Sequence, residues 1–222
     1  MTAERRPRET PAELSLRSHR CVIGILGATL PFAVYLLAGL RQTTGLDRWQ
    51  FLPSVSAYYH TGAGPLFVGV LFAISLFLYT YRGYVEDVAD RIVGKTGGVA
   101  AFLVATFPTR APQPVEAPSW WNERTGVIHY SAAAVLFGCF IVFSVWLFRK
   151  SEFRDRRARP FMKKVRDGIC LGCGLVMIGA MAWAGLSSLR GGPIFYPEAL
   201  AILAFGVSWL TKAEALPILR DR

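Results

Sequence analysis

The chain has 222 residues, 53% of them hydrophobic, with a mean hydropathy of +0.35 and a net charge of +10. A soluble domain is about 45–50% apolar, and here the excess is concentrated in blocks of about twenty residues, the length that a helix needs to cross a bilayer. These figures exclude an ordinary soluble domain. Nucleic-acid binding is not expected either, because no aromatic stacking platform accompanies the basic residues.

Six apolar blocks follow one another along the chain. In order they are Cys21–Leu40, Gly64–Tyr84, Ile92–Pro108, His129–Phe148, Asp167–Ser187 and Ile194–Leu210. Since backbone groups in lipid have no water to bond, each block is predicted to be a helix. The predicted fold class is all-α, a polytopic membrane bundle of six transmembrane helices over residues 21–212, with cytoplasmic tails at 1–20 and 213–222.

The first and third blocks are the least regular. The basic tail before the first block resembles a signal peptide, but the apolar run is long and no A-x-A-type cleavage site follows it, which favours a retained helix. The third block contains Lys95 and a glycine pair. Its helix is predicted to begin near Val88, with Asp87 and Arg91 paired one turn apart.

The basic residues alternate between the segments that connect the blocks. Twenty of the 25 Lys and Arg residues lie in the N-terminal tail, in 81–96, in 149–166 and in the C-terminal tail, whereas the other connections share five. A bias of this kind over short loops is the positive-inside pattern. It predicts an even number of spans and places both termini in the cytoplasm.

The densest basic run is Arg149–Arg166, with the sequence RKSEFRDRRARPFMKKVR. We interpret it as a determinant of topology. An alternative is that it binds anionic headgroups, since each basic side chain near a charged leaflet adds about 1 kcal/mol of attraction. Membrane lipids are therefore the expected partners.

Polar side chains collect at the opposite, outer boundary. The stretch SVSAYYHTGAG (54–64) leads into the second block, His129 opens the fourth, and Glu198 lies about one turn inside the sixth. An acidic side chain at this depth usually faces the bundle interior or water. We predict that these groups form an outer-leaflet polar pocket. Its predicted ligand-binding residues are Ser54, Ser56, Tyr59, His60, Thr109, His129, Ser131 and Glu198.

This pocket has competing interpretations. Each histidine alone suits a cap or a place among headgroups, and Glu198 suits the positive first turn of a helix. If the pocket is catalytic, with a histidine as base and a serine as nucleophile, the candidate residues are His60, His129, Glu198 and Ser56. No G-x-S-x-G motif is present. No H-x-x-H or H-E-x-x-H spacing supports zinc, so no metal site is predicted, and the cofactor stays unknown.

Small residues recur inside the blocks. The C-x-x-C pair at 170–173 has no redox-fold context, so it is interpreted as helix packing. The G-x-x-x-G pairs at 94–98 and 168–172 place small residues one turn apart on one face. Both pairs predict close packing between helices.

The order of these features resembles a known family. The stretch FLPSVSAYYHTGAGPLFVGVLFAIS, then GVAAFLVATFPTR and VIHYSAAAVLFG, are similar to the second, third and fourth helices of the Frag/DRAM/Sfk membrane family. On this resemblance Ser54, Ser56 and His129 are the matching positions, while Ala-Tyr-Tyr at 57–59 replaces the acidic and glycine residues often found there. The resemblance covers residues 20–150 and implies lipid remodelling or scaffolding at membranes. The last helix is also similar to that of uncharacterised bacterial six-span proteins, which implies a bacterial inner membrane.

Three functions fit these features. The leading hypothesis is a lipid-binding or membrane-organising protein that uses the outer-leaflet pocket. The first alternative is a lipid-modifying membrane enzyme that uses His60, His129 and Glu198. The second is a small transporter or channel, for which the helices offer few polar groups near the membrane midplane.

Overall fold

The computed structural model describes residues 11–81, 83, 88–150, 159–215 and 217–219. This part of the chain is helical and contains no strand, which confirms the all-α prediction. Its α-helices are α1 (Pro11–Leu40), α2 (Gly64–Thr80), α3 (Val88–Thr106), α4 (Glu123–Val145), α5 (Phe161–Leu189) and α6 (Phe195–Lys212). Short 3-10 turns lie at Ser56–His60, Leu147–Arg149 and Pro217–Leu219.

The first helix begins at Pro11, ten residues before the predicted Cys21. Its extra turns are held by α2. His19 Nε2 donates to the Phe77 carbonyl over 2.8 Å, and Arg20 Nε donates to the Tyr81 hydroxyl over 3.1 Å. The second half of the predicted basic tail is therefore helical and packs in the bundle, while residues 1–10 lie outside the described residues.

The fourth helix also begins earlier than predicted. Asn122 Oδ1 accepts hydrogen bonds from the backbone nitrogens of Arg124 and Thr125, and the Thr125 hydroxyl accepts one from the Asn122 backbone nitrogen. This reciprocal cap starts a helix wherever it forms. His129 consequently lies well inside α4 rather than at its start. In contrast α3 begins at Val88, as predicted, while Asp87, the predicted partner of Arg91, lies outside the described residues.

The helices close into a bundle in which each packs against its neighbours in the chain and α1 also packs against α6. At one end, Arg17 Nη2 donates to the Glu214 carbonyl over 3.0 Å, and Lys212 Nζ donates to the Phe148 carbonyl over 3.1 Å. This end, named the basic end, holds the start of α1 and the end of α6. The opposite end holds His60 and is named the histidine end.

Glycines let α2 and α3 approach closely, as predicted from the G-x-x-x-G pair at 94–98. A methyl group on Gly98 would lie 2.8 Å from the Ser75 carbonyl oxygen, and the Ser75 hydroxyl donates to the Gly98 carbonyl over 2.7 Å. The same prediction for Gly168 and Gly172 is wrong for a single chain. Both face outward from α5, and an added methyl would meet no neighbouring described residue within 4 Å.

Three helices are long and apolar enough to cross a membrane, namely Leu14–Leu40, Glu123–Arg149 and Phe161–Leu189. Helix α2 is equally apolar but has 17 residues. The outer surface of the bundle carries large exposed apolar side chains such as Phe32 and Leu175. Such a surface suits lipid rather than water. The protein is therefore an integral membrane protein, as predicted.

The interior near the basic end is aromatic. The fully buried Trp209 ring of α6 packs edge-on against Phe143 of α4, with 5.2 Å between ring centroids. Beside it, the Ser144 and Ser208 hydroxyls lie 2.7 Å apart. Cys170 is buried, with Sγ 3.9 Å from the Ser208 carbonyl oxygen, so this cysteine packs between helices as predicted.

Candidate functional site

Two histidines hold the turn that follows α3. His129 Nδ1 donates to the Phe107 carbonyl over 2.6 Å, and His60 Nε2 donates to the Thr109 carbonyl over 2.8 Å. A carbonyl oxygen only accepts hydrogen bonds, so the bonding nitrogen of each ring carries a proton. The two side chains come from different elements and meet at residues 107–109.

Two aromatic side chains bind the same turn. Tyr130 Oη lies 2.5 Å from Thr109 Oγ1, and Trp121 Nε1 donates to the Pro108 carbonyl over 3.0 Å. The turn thus receives bonds from residues before α2 and from the start of α4. Three of these bonds satisfy the backbone carbonyl groups of residues 107–109, which directly follow α3.

His60 is half-buried beneath Tyr59, whose ring packs edge-on against the imidazole with 5.1 Å between centroids. Burial lowers the pKa of His60 below its ordinary value of 6.5, and the hydrogen bond to Thr109 opposes this effect only in part. Burial disfavours the charged imidazole. At neutral pH His60 is therefore a neutral donor to the turn.

Glu198 joins α6 to the segment that precedes α2. Its Oε2 atom accepts a hydrogen bond from the Val55 backbone nitrogen over 2.6 Å. The Ile194 backbone nitrogen donates to the Pro53 carbonyl over 2.7 Å, and the Ser54 hydroxyl accepts a hydrogen bond from the Ala57 backbone nitrogen over 3.0 Å. Two bonds that run in opposite directions therefore fix this segment against the start of α6.

The predicted polar pocket is thus assembled in part. His60, His129 and Thr109 meet at the turn after α3, whereas Ser56 and Glu198 line an interior cavity. Among the residues that the structure describes, no hydrogen bond joins the two groups, and no set of three His, Cys, Asp or Glu side chains is arranged to hold a metal. A catalytic role for these residues stays a prediction.

The interior cavity is small. It encloses about 50 Å³ between α1, α2, α3, α4 and α6, and apart from Ser56 and Glu198 its walls are apolar, with Leu71, Phe137 and Phe205 among them. A single water molecule requires about 10–15 Å³ on this measure. The cavity therefore has room for a few water-sized groups and is far too small for a lipid chain.

A much larger depression lies on the outer surface of the bundle, and we name it the α3–α4 groove. It has a volume of about 720 Å³. Its apolar walls include Val99 and Leu103 of α3 and Val127 and Val135 of α4, and Val127 is 64% exposed. The groove runs over nine residues of each helix, 95–103 and 127–135, and the eight steps between the first and last span about 12 Å at 1.5 Å each.

The groove also carries polar side chains at membrane depth. Lys95 and Thr96 lie toward its basic end, and Ser131 lies halfway along it. Lys95 Nζ lies 5.8 Å from the centroid of the Tyr79 ring, within range of a cation–π contact. Ser131, a predicted pocket residue, is two positions from His129 and hence about 200° around α4, so it faces the groove instead of the histidine turn.

Two cations in the described part of the basic run share one carboxylate. Lys163 Nζ and Arg159 Nη1 bind the two oxygens of the buried Asp167 carboxylate, over 2.5 and 2.8 Å. These cations serve the packing of the basic end. Residues 151–158 lie outside the described residues, and headgroup binding at Arg149–Arg166 stays a prediction.

The fold defines a helical membrane bundle with a groove on its lipid-facing surface. The chain belongs to the DUF998 family of proteins of unknown function, whose family model matches residues 59–213. No curated protein and no solved structure is significantly similar to the chain. The likeness to the Frag/DRAM/Sfk family stays a resemblance, since DUF998 is the family that the chain matches.

Proposed function

We propose that the protein is a six-span membrane protein that binds membrane lipid in the α3–α4 groove. The observation that carries this proposal is the groove itself, with about 720 Å³ of space and largely apolar walls on the outer surface of the bundle. Lipid tails are as apolar as these walls. Binding therefore comes from van der Waals packing in the depression and from polar contacts, rather than from the hydrophobic effect.

The polar side chains of the groove favour a lipid with a polar headgroup over a ligand made of hydrocarbon alone. Lys95, Thr96 and Ser131 lie on a surface that faces the bilayer. Polar and charged groups at such a position are costly unless they find partners. The oxygens of a glycerophospholipid provide partners that hydrocarbon lacks.

The proposal includes six spans with the basic end in the cytoplasm. It is supported by the packing of α2, α3 and α6 between longer apolar helices and by the bias of Lys and Arg toward one set of loops. Reporter fusions test it. A phosphatase fused after residue 50 is expected to be active, and one fused after residue 150 is expected to be inactive. The reverse pattern, or activity at both points, contradicts it.

Filling the groove tests lipid binding. Ser131→Trp places a large ring in the groove, whereas Ala182→Trp places the same ring on the exposed face of α5 at a similar depth. A phospholipid with a photoactivatable acyl chain is incorporated into membranes that contain each variant. Wild type and Ala182→Trp are expected to be labelled on α3 and α4 peptides, and Ser131→Trp is expected to lose most of this labelling. Equal labelling of all three proteins contradicts the proposal.

A further inference from the structure

We propose that the α3–α4 groove is selective for an anionic glycerophospholipid of the leaflet at the basic end, whose phosphate binds between Arg91 and Lys95. The inference rests on the proposed function, because it names the class of lipid for the same groove. It adds a headgroup site that differs from the basic run at Arg149–Arg166.

Arg91 and Lys95 form a cationic pair on α3. They are four residues apart, both are exposed, and residues at this spacing are neighbours on one face of a helix. Two like charges at this spacing repel each other. Among the residues that the structure describes, neither forms an ion pair, and Asp87, the predicted partner of Arg91, lies outside those residues. The cation–π contact of Lys95 with Tyr79 leaves the charge of Lys95 uncompensated. A phosphate between them removes the repulsion.

Three other cations of the described chain are used differently. Arg159 and Lys163 share the Asp167 carboxylate, and Arg110 pairs with Glu123 at the histidine end. Those side chains hold parts of the protein together. The pair on α3 is instead exposed, and Lys95 lines the α3–α4 groove.

The position of the pair sets the orientation of the lipid. Lys95 lies at the basic end of the groove, and the apolar walls extend from it toward the histidine end. A phosphate at Lys95 therefore directs an acyl chain along the groove and into the bilayer. The positive-inside pattern places this end at the cytoplasmic leaflet, where anionic lipids attract basic side chains. The continuous apolar groove selects a lipid over a free phosphate ester.

Competition between two lipids tests this selectivity. The purified full chain is delipidated in mild detergent and mixed with phosphatidylglycerol and phosphatidylcholine that carry identical acyl chains, and bound lipid is counted by native mass spectrometry. Wild type is expected to prefer phosphatidylglycerol about 25-fold, since each of the two basic residues contributes about fivefold. Arg91→Ala/Lys95→Ala is expected to bind both lipids equally, and Lys95→Arg is expected to keep the preference.

Lys164→Ala is the matched control, because Lys164 is an exposed lysine on α5 at the same end of the bundle and away from the groove. It is expected to keep the wild-type preference, and circular dichroism checks the helical fold of every variant. If wild type binds the two lipids equally and Ser131→Trp binds neither, the headgroup site is overturned, but lipid binding in the groove is still supported. If Ser131→Trp binds as many lipid molecules as wild type, both the headgroup site and lipid binding in the groove are overturned. Equal competition by soluble glycerol phosphate overturns the assignment to a lipid.

Discussion

The Glu198 Oε2 atom lies 2.6 Å from the Val55 backbone nitrogen, although 143 residues separate the two in the chain. This bond closes the histidine end of the bundle, because it ties the segment before α2 to the first turn of α6. A buried donor that is left without an acceptor costs about 1–3 kcal/mol. Glu198 is thus a structural tie as well as a polar wall of the interior cavity.

Glu198→Ala is accordingly expected to lower stability by about 2 kcal/mol, since it leaves the Val55 nitrogen without its acceptor. Glu198→Gln keeps an oxygen acceptor, and its stability is expected to lie between those of Glu198→Ala and wild type. The measurement is the unfolding midpoint in mild detergent, followed by circular dichroism. If Glu198→Ala unfolds at the wild-type midpoint, the tie does not stabilise the bundle.

His129→Ala is expected to destabilise the turn after α3. The change removes the donor to the Phe107 carbonyl and leaves a gap where a side chain with 1% exposure had packed. Loss of the bond and of the packing together amounts to about 2–4 kcal/mol. His129→Asn, which keeps a donor on a shorter side chain, is expected to recover part of the unfolding midpoint. Loss of a cellular lipid product at an unchanged midpoint points instead to catalysis.

Stability is expected to fall in mild acid through His60. Its folded-state pKa is lowered by burial from an ordinary value of 6.5, so the folded chain binds fewer protons than the unfolded chain. Neutral His60 makes its full contribution to the free energy of unfolding above about pH 6.5. This contribution is lost as the pH falls from there through the lowered pKa of the folded state. His60→Gln keeps a donor for the Thr109 carbonyl but does not titrate. Its unfolding midpoint is expected to vary less between about pH 8 and pH 5 than that of wild type, and identical slopes refute this role.

Alanine substitutions at Gly98 and Gly172 compare a glycine in a tight helix contact with a glycine that faces open space. Gly98→Ala forces a methyl group to within 2.8 Å of the Ser75 carbonyl oxygen, and overpacking of this kind costs about 1–3 kcal/mol. Gly172→Ala meets open space, and alanine favours a helix over glycine. Unfolding midpoints are expected to fall for the first variant and to stay equal or rise for the second. If the unfolding midpoint of Gly172→Ala falls instead, and its difference from wild type disappears on dilution, Gly172 lies in a contact between two copies of the chain.

The apolar blocks were sufficient to predict the number of helices, because hydrophobic length is a local property of the sequence. Helix starts were harder to predict. The sequence around Asn122 is polar and looks like a loop, but its reciprocal cap with Thr125 extends α4 outward. The first helix extends through His19 and Arg20 because α2 provides their hydrogen-bond partners, and such partners cannot be seen in the segment itself.

The depth of the polar residues was also readable from the sequence, but their rotation about each helix was not. His129 and Ser131 lie at nearly the same level, yet His129 faces the turn after α3 and Ser131 faces the outer surface of the bundle. Residues two positions apart on a helix point in directions that differ by about 200°. Which face is buried depends on where the neighbouring helices lie, so the division of the predicted pocket required the fold.

The contact between α1 and α6 bears on how the family region can be isolated. The matched region begins at residue 59 and leaves out α1, yet a methyl group on Gly206 of α6 would lie 2.6 Å from the Ala28 backbone nitrogen of α1. A fragment cut at the family boundary would therefore expose a slot along α6 shaped for a helix backbone. Supplying α1 as a separate peptide should refill that slot, which makes the protein suitable for reconstitution from two pieces.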